Sequence, residues 1–276
     1  MKIQYLGTAA AEGIPAIFCE CENCKKSREL GGRNIRTRSQ AIIDDTILID
    51  FPADTYMHFL NFNMPLHKIK TCIITHSHGD HLYPADISMR ANGCFAHVIS
   101  EEPLTFYSDE SGYEMIKNQI SDMSDKDVQA VRIKPFEAFD AQGYRITPIR
   151  ATHDPASTPV IYIIEKDGKS IFYANDSGEY SDESMACLKK LSKPLTVVSF
   201  DCTSACDDNT YFGHPTFNRC KKMRKLLIDE KIADKDTIFV LNHFSHNGAH
   251  VVYDEFSKIA AGDGFLVSYD GMVLEF

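Results

Sequence analysis

The stretch that decides the fold is Thr71–His81, TCIITHSHGDH, in which an apolar run ends in three histidines and one aspartate. A short apolar run rich in β-branched residues predicts a buried strand, so its polar residues would be delivered together at the strand's end. In an extended segment His76 and His78 point to the same side, and the glycine that follows lets Asp80 and His81 reach a second position. The spacing favours two adjacent metal sites over an idle, solvated turn.

Other runs of β-branched and aromatic residues predict strands at 2–6, 40–50, 71–75, 95–99, 144–150, 159–174, 195–200, 237–241 and 264–275. Apolar residues at helical spacing predict helices at about 22–31, 53–61, 82–91, 111–120, 181–191, 214–230 and 251–260. Turn signals at 44–45, 166–169 and 270–271 predict hairpins, so the sheets should be partly antiparallel. We expect one domain over residues 1–276, of the α/β class, with two mixed sheets covered by helices.

The composition is that of a globular protein. The 276 residues are 43% hydrophobic and 25% charged, which is enough apolar surface for a sizeable core. The net charge of -10 disfavours non-specific binding to long nucleic acids or anionic membranes. No apolar run reaches membrane-spanning length and no signal-peptide pattern opens the chain, so we expect a cytoplasmic protein. The least patterned stretch, 100–127, is expected to be a surface loop with a short helix.

The HxHxDH motif, the Gly7-Thr8 turn after the first strand and the later histidines resemble the metallo-β-lactamase superfamily, over almost the whole chain. The resemblance implies an αββα sandwich of two mixed β-sheets flanked by helices. It also implies three further ligands, each after a predicted strand: His153, Asp176 and His243. His76, His78 and His153 would then hold one metal ion, Asp80, His81 and His243 a second, and Asp176 would bridge the two. Imidazole and carboxylate ligands suit Zn, Mn or Fe alike.

Three of the nine cysteines form a C-x-C-x2-C array: Cys19, Cys21 and Cys24. In a chain with no export signal, three thiols this close predict a structural zinc with tetrahedral geometry, which needs one more ligand. His246, three residues after His243, is the favoured fourth ligand. Cys202 and Cys206 compete for that role, and three unrelated reduced thiols remain the alternative to a zinc site.

Together with residues 7–15 and 36–39, the cysteine array is similar to the PhnP branch of the superfamily, whose members are phosphodiesterases that open cyclic phosphates. The resemblance implies a small phosphate-ester substrate, such as phosphoribosyl 1,2-cyclic phosphate or a 2′,3′-cyclic nucleotide, attacked by a metal-bound hydroxide. The PqqB-like branch can also carry a cysteine zinc site. A PqqB-like protein, or a hydrolase of RNA, a thioester or a lactone, therefore stays open, as does a homodimer.

The leaving alkoxide needs a proton, and His214 in the sequence FGHP, just before a predicted helix, is our candidate general acid. Its alternative is a helix-start residue with no chemical role. Asp80 has two compatible roles, as a ligand and as the residue that orients the hydroxide. Arg36 and Arg38 bind phosphate in one interpretation and pair with local carboxylates in the other, and the sequence leaves both open.

Overall fold

The computed structural model describes residues 1–93, 95–207 and 213–276, whose strands form two sheets of seven. In spatial order the first sheet contains β14 (Val273–Glu275), β1 (Lys2–Gly7), β2 (Gln40–Ile43), β3 (Ile47–Ile49), β4 (Thr71–Ile73), β5 (Leu104–Ser108) and β6 (Val128–Arg132). The second contains β13 (Leu266–Val267), β12 (Ile238–Asn242), β11 (Val197–Asp201), β10 (Lys169–Ala174), β9 (Val160–Lys166), β8 (Tyr144–Arg150) and β7 (Phe139–Ala141).

The α-helices of the described residues are α1 (Glu22–Leu30), α2 (Thr55–Phe62), α3 (Glu110–Gln119), α4 (Asp182–Leu188), α5 (Phe217–Asp229) and α6 (Tyr253–Gly262). Short 3₁₀ helices add Gly32–Asn34, Leu66–Lys68 and Pro84–Arg90. The helical pattern predicted for 82–91 therefore takes the tighter 3₁₀ form. None of the helices that the structure describes is both long and apolar enough to cross a bilayer.

Both sheets are mixed, as predicted. In the first sheet β1, β2 and β3 pair antiparallel, and β3 to β6 pair parallel. In the second, β7 to β10 pair antiparallel, and β10 to β13 pair parallel. The carboxyl ends of the parallel strands consequently lie at one edge of each sheet, which is where such sheets carry their binding residues.

Three apolar clusters define the layers. The middle cluster lies between the sheets and joins Ile3 and Ile47 of the first to Tyr162 and Tyr173 of the second. Leu48, between two inward-facing isoleucines, belongs instead to the outer cluster of the first sheet, as strand alternation requires. A third cluster packs α5 and α6 against the outer face of the second sheet. The arrangement is an αββα sandwich, which confirms the predicted fold class.

The hairpins predicted at 44–45 and 166–169 are confirmed, but the one at 270–271 is wrong. β13 belongs to the second sheet and β14 to the first, so the chain crosses between sheets at this point. The predicted strand 95–99 is also wrong, because Phe95 and Ile99 are 64% and 95% exposed and the segment forms no strand. The stretch 100–127, predicted as a surface loop with a short helix, contains that helix as α3, but it also contains the strand β5, which was not predicted.

Candidate metal centre

The first histidine cluster lies at the edge where β4 ends. His76 and His78 follow β4, and His153 follows β8 in the opposite sheet. His76 Nε2 and His153 Nε2 lie 3.0 and 3.2 Å from the same atom, His78 Nδ1. The three nitrogens are close enough to share one cation, as the spacing of the first two histidines predicts.

The second cluster shares this edge. His81 Nε2 lies 3.2 Å from Asp80 Oδ2 and 3.0 Å from Asp176 Oδ2. His243 Nε2, delivered by the end of β12, lies 3.1 Å from the same Asp176 oxygen. The other carboxylate oxygen, Asp176 Oδ1, lies 3.9 Å from His153 Nε2 of the first cluster. Asp176 therefore stands between the two sets, the place that a bridging ligand would take.

Three of these donor atoms have no partner in the described part of the chain other than one another. His81 Nε2, His243 Nε2 and Asp176 Oδ2 are buried and make no hydrogen bond to a described residue. In the neutral, metal-binding form of His81 the hydrogen lies on Nδ1, which is 2.7 Å from the Asp50 carboxylate, so Nε2 presents a lone pair. Buried lone pairs aimed at one point are costly unless a cation holds them. The residues thus fit two divalent metal ions, although occupancy of the site stays a prediction.

Two buried carboxylates behind the cluster escaped the sequence analysis, Asp50 and Asp201. Asp50 follows β3, accepts hydrogen bonds from Thr75 N at 2.8 Å and Thr75 Oγ1 at 2.9 Å, and holds the ring of His81. Asp201 ends β11 and accepts from the amide of Asp176 at 3.0 Å. Such partners fix the orientation and tautomer of metal-binding residues. The available signal was an acidic residue directly after an apolar run, in ILID and VVSFD.

His214 lies beside the cluster, with its two ring nitrogens facing different carboxylates. Nδ1 lies 2.8 Å from Asp201 Oδ2, and Nε2 lies 3.9 Å from Asp176 Oδ1. Burial lowers the pKa of His214, but the charge and hydrogen bond of Asp201 outweigh it and raise the pKa to about 9. The preceding Gly213 has φ +77°, and a Cβ there would stand 2.8 Å from His153 Nδ1, so only glycine permits this approach. Phe212 of the same motif lies outside the described residues.

Burial raises the pKa of Asp176, yet the imidazoles of His243 and His81 outweigh it and hold that pKa well below its usual range. Asp176 is therefore an ionised carboxylate in a buried place. A cavity of about 330 Å³ opens on this carboxylate and on Asp80, and His214 also lines it. A small molecule entering the cavity meets the two predicted metal positions and the candidate acid together.

The cysteine array lies close to His246. His246 Nδ1 is 3.4 Å from Cys19 Sγ and 3.5 Å from Cys21 Sγ, and Cys24 completes a group of donors that are close enough for one ion. Among the described residues this group contains no other cysteine. The geometry therefore favours His246 over Cys202 and Cys206 as the fourth ligand, and zinc occupancy stays a prediction.

A family model described as the beta-lactamase superfamily domain matches residues 46–233, which is more than half of the chain. The chain belongs to the metallo-β-lactamase superfamily. This confirms the resemblance carried by the HxHxDH motif. No curated protein sequence matches the chain.

Solved structures of the superfamily show how widely its fold is shared. A diphosphatase of the PhnP family is 21% identical at a TM-score of 0.77, with 100% of this chain and 97% of that one covered. Zn²⁺-bound PqqB from Methylobacterium extorquens is 18% identical at 0.73, with both chains fully covered. The short form of human tRNase Z is 17% identical at 0.65, with coverage of 100% and 99%. At such identities the likeness shows the fold alone.

Arg36 and Arg38 are engaged within the protein. Arg36 is 2% exposed, donates to Thr8 Oγ1 at 2.8 Å and the carbonyl oxygen of Ser268 at 2.7 Å, and lies over the ring of Phe244. Arg38 pairs with Asp54 at 3.3 Å and donates to the carbonyl oxygen of Ala11 at 2.8 Å. These contacts favour the structural interpretation of both arginines over phosphate binding.

Proposed function

We propose that the protein is a metal-dependent phosphodiesterase that hydrolyses a small cyclic phosphate, of the phosphoribosyl 1,2-cyclic phosphate or 2′,3′-cyclic nucleotide type. The observation that carries the proposal is the meeting of two donor sets at Asp176, on the wall of a cavity that His214 also lines. The fold shared with a PhnP-family diphosphatase supports phosphorus chemistry at such a site.

Seven residues would hold the two divalent ions: His76, His78, His153, Asp80, His81, His243 and the shared Asp176. Zn, Mn and Fe all suit this mixture of nitrogen and oxygen ligands. Bound ions would neutralise the phosphate oxygens and bring the pKa of a coordinated water toward neutrality. The remaining steps rely on the chain's own side chains.

His214 is the proton donor for the leaving alkoxide. Its Nδ1–H is held by Asp201, so Nε2 is the nitrogen directed at the cavity. With a pKa near 9 the ring is protonated at neutral pH, the state that a general acid needs. Asp201 acts as a positioning residue, because it aims the imidazole and stabilises its positive charge.

The charge distribution suits a small phosphate ester. The net charge of -10 disfavours a long polyanion such as RNA. At the site, however, two divalent ions bring four positive charges against the carboxylates of Asp80 and Asp176. The ions themselves would therefore attract phosphate oxygens although the whole protein is acidic. A structural zinc on Cys19, Cys21, Cys24 and His246 completes the proposal and is separate from the reaction centre.

The direct test is turnover by the metal-loaded protein of a substrate panel: phosphoribosyl 1,2-cyclic phosphate, 2′,3′-cyclic and 3′,5′-cyclic nucleotides, a lactone, a thioester and a short RNA. We expect the first two to be preferred. Asp80→Ala and His81→Ala should each abolish cleavage of bis(p-nitrophenyl) phosphate while the circular dichroism spectrum stays native. Asp140→Asn, at an exposed position, is the control. Undiminished turnover by the Asp80 and His81 variants would exclude the proposed centre.

Cleavage of a diphosphate is the second candidate, because the similar PhnP-family structure is that of a diphosphatase. A nucleoside diphosphate added to the same panel separates the two. Preference for the diphosphate over both cyclic phosphates would replace the first proposal with the second and leave the assigned metal ligands unchanged.

A further inference from the structure

A chain of polar side chains, buried at Gln40 and His58 and half-buried at Thr37 and Asp270, runs behind the candidate metal centre and has no part in the chemistry above. His58 is fully buried, with Nδ1 2.6 Å from Gln40 Oε1 and Nε2 2.6 Å from Thr37 Oγ1. The same threonine hydroxyl lies 2.6 Å from Asp270 Oδ2. All three contacts are short, so each needs a hydrogen between its two heavy atoms.

The orientation of Gln40 determines where the hydrogen lies in the contact between Gln40 and His58. Its amide nitrogen lies 2.9 Å from the carbonyl oxygen of Asp50 and 3.0 Å from Thr55 Oγ1, whose own hydrogen goes to the carbonyl oxygen of Pro52 at 2.6 Å. Both neighbours therefore accept, and the Gln40 amide must donate to them. Gln40 Oε1 is left facing His58, and the hydrogen of that contact belongs to His58 Nδ1.

The other two contacts compete for a single hydrogen. The hydroxyl of Thr37 can donate either to His58 Nε2 or to Asp270 Oδ2, but not to both. If His58 is neutral, with its hydrogen on Nδ1, and Asp270 is ionised, one 2.6 Å contact joins two acceptors. Such a contact between buried lone pairs is strongly unfavourable. One additional proton removes the conflict, on Asp270 or on His58.

The surroundings favour Asp270 over His58 as the site of the additional proton. Asp270 also accepts hydrogen bonds from Thr8 Oγ1 and the amide of Thr37, each at 2.6 Å, and these favour its ionised form. Burial outweighs them and raises the pKa of Asp270 to about 6, whereas burial lowers the pKa of His58 to about 4, so the carboxyl takes the proton before the imidazole does. The charged groups nearby are Arg36 beside Asp270 and Asp54 beside His58, and Asp54 is itself paired with Arg38. The favoured state is a neutral relay in which Asp270 donates to Thr37 and Thr37 donates to His58.

The far end of the relay reaches the metal ligands. Gln40 holds the carbonyl group of Asp50, whose φ of +66° lies in the left-handed region. The carboxylate of Asp50 holds the ring of His81. We propose that Asp270 and His58 are positioning residues that share one additional proton in mildly acidic solution, and that through Gln40 this relay aims Asp50 at His81. The effect of the relay on His81 rests on the proposed metal site, whereas the additional proton on Asp270 does not.

The proton is tested on the metal-loaded wild-type protein by ¹⁵N NMR of its histidines and by infrared spectroscopy at pH 5. We expect His58 to be neutral with its hydrogen on Nδ1, and a protonated-carboxyl band that disappears in Asp270→Asn. An ionised Asp270 together with a His58 hydrogen on Nε2 would overturn the proposal, because a reversed Gln40 amide would then satisfy the network with no extra proton.

The pH dependence of the unfolding equilibrium provides a second test for the proton on Asp270. Because the pKa of Asp270 is raised in the folded state, its stabilising effect is complete below the unfolded value of about 4 and is lost as the pH rises through the folded value. Between about pH 4 and 6 the unfolding equilibrium constant of the wild type should rise tenfold per pH unit relative to Asp270→Asn. Parallel pH profiles would contradict the assignment.

The positioning step is tested with a matched pair at Thr37, which touches neither metal ligand nor cavity. Thr37→Val keeps the shape of the side chain and removes the hydroxyl, whereas Thr37→Ser keeps the hydroxyl. We expect the valine variant to bind its weaker Zn²⁺ ion roughly tenfold less tightly in competition with a chelator, and the serine variant to match the wild type. Equal Zn²⁺ affinities for the three proteins would show that the relay does not act on His81.

Discussion

The surroundings of its two ring nitrogens make His214 suitable as a proton donor. Asp201 holds one ring nitrogen and keeps the imidazole charged, and the other nitrogen faces the cavity. If this ring protonates the leaving oxygen, its importance depends on how badly the leaving group needs a proton. The requirement is strong for the alkoxide of a sugar and weak for p-nitrophenolate.

His214→Gln should therefore slow hydrolysis of an alkyl phosphodiester by roughly 10²- to 10⁴-fold and that of bis(p-nitrophenyl) phosphate much less. Steady-state kinetics with both substrates measure the difference. His250→Gln is the control, since His250 is exposed and paired with Glu255. Equal losses on both substrates would assign His214 a role in binding or structure instead of proton transfer.

Asp201→Asn tests the cause of the His214 charge. The raised pKa of about 9 depends on the Asp201 carboxylate, and burial alone would lower it. Without that carboxylate the imidazole loses its proton at lower pH, so activity on the alkyl diester should decline at lower pH on the alkaline side of its profile. The pH dependence of kcat/KM measures this shift. An unmoved alkaline limb would mean that another group titrates there.

At this scale the HxHxDH motif after an apolar run predicted the ligands that follow β4, and the resemblance to the superfamily implied His153, Asp176 and His243, each shortly after a predicted strand. Strand ends are geometrically defined, so separate runs could be expected to meet. Asp50 and Asp201 stand in equivalent places but were missed. A single acid after a strand is common, and only the three-dimensional contacts reveal that these two hold His81 and His214.

Helix α1 links the cysteine array to the rest of the fold. Cys21 is its N-cap, and the thiol accepts from the amide of Cys24. The helix is short and polar on most faces, so its docking depends on its ends. A metal ion held at the start of this helix would stabilise both the helix and its attachment, since structural metal binding is coupled to folding.

Cys21→Ser separates the cap from the metal. Serine is a good N-cap, so the helix start is retained while a zinc ligand is removed. We expect the variant to lose one tightly bound zinc per chain and about 5 °C or more in Tm. Metal analysis and thermal unfolding measure both. Cys187→Ser, at a half-buried thiol on α4, should keep the full metal content; an unchanged metal count in Cys21→Ser would refute the zinc site.

Elements at the margins of the sheets were predicted poorly, and β5, an internal strand with alternating burial, was missed as well. The run 95–99 is apolar but stays exposed, because it has no neighbouring strand to pair with. β6 was missed for the opposite reason. It is an edge strand with mostly exposed side chains, so it carries little of the hydrophobic pattern that identifies a strand. Pairing with β5, a long-range contact, determines its structure.

At the scale of the whole molecule, the two sheets share their apolar interior. The middle cluster takes side chains from both, and β14 at the end of the chain pairs with β1 at its start. Nothing in composition distinguishes one core from two at this length, so the single domain was predicted from the lack of a linker. The middle cluster, to which both sheets contribute side chains, provides the physical reason to expect a single domain.

A shared interior makes the two sheets unfold together. Urea unfolding followed by far-ultraviolet circular dichroism, which reports both sheets, and by tyrosine fluorescence should give one midpoint, because the chain lacks tryptophan and Tyr5, Tyr162 and Tyr173 lie in the middle cluster. Ile164→Ala, in that cluster, should lower the free energy of unfolding by about 2–5 kcal/mol in both signals alike. Ile259→Ala, on an exposed part of α6, should cost much less. Two separate midpoints, or a loss seen by one probe only, would divide the chain into independent halves.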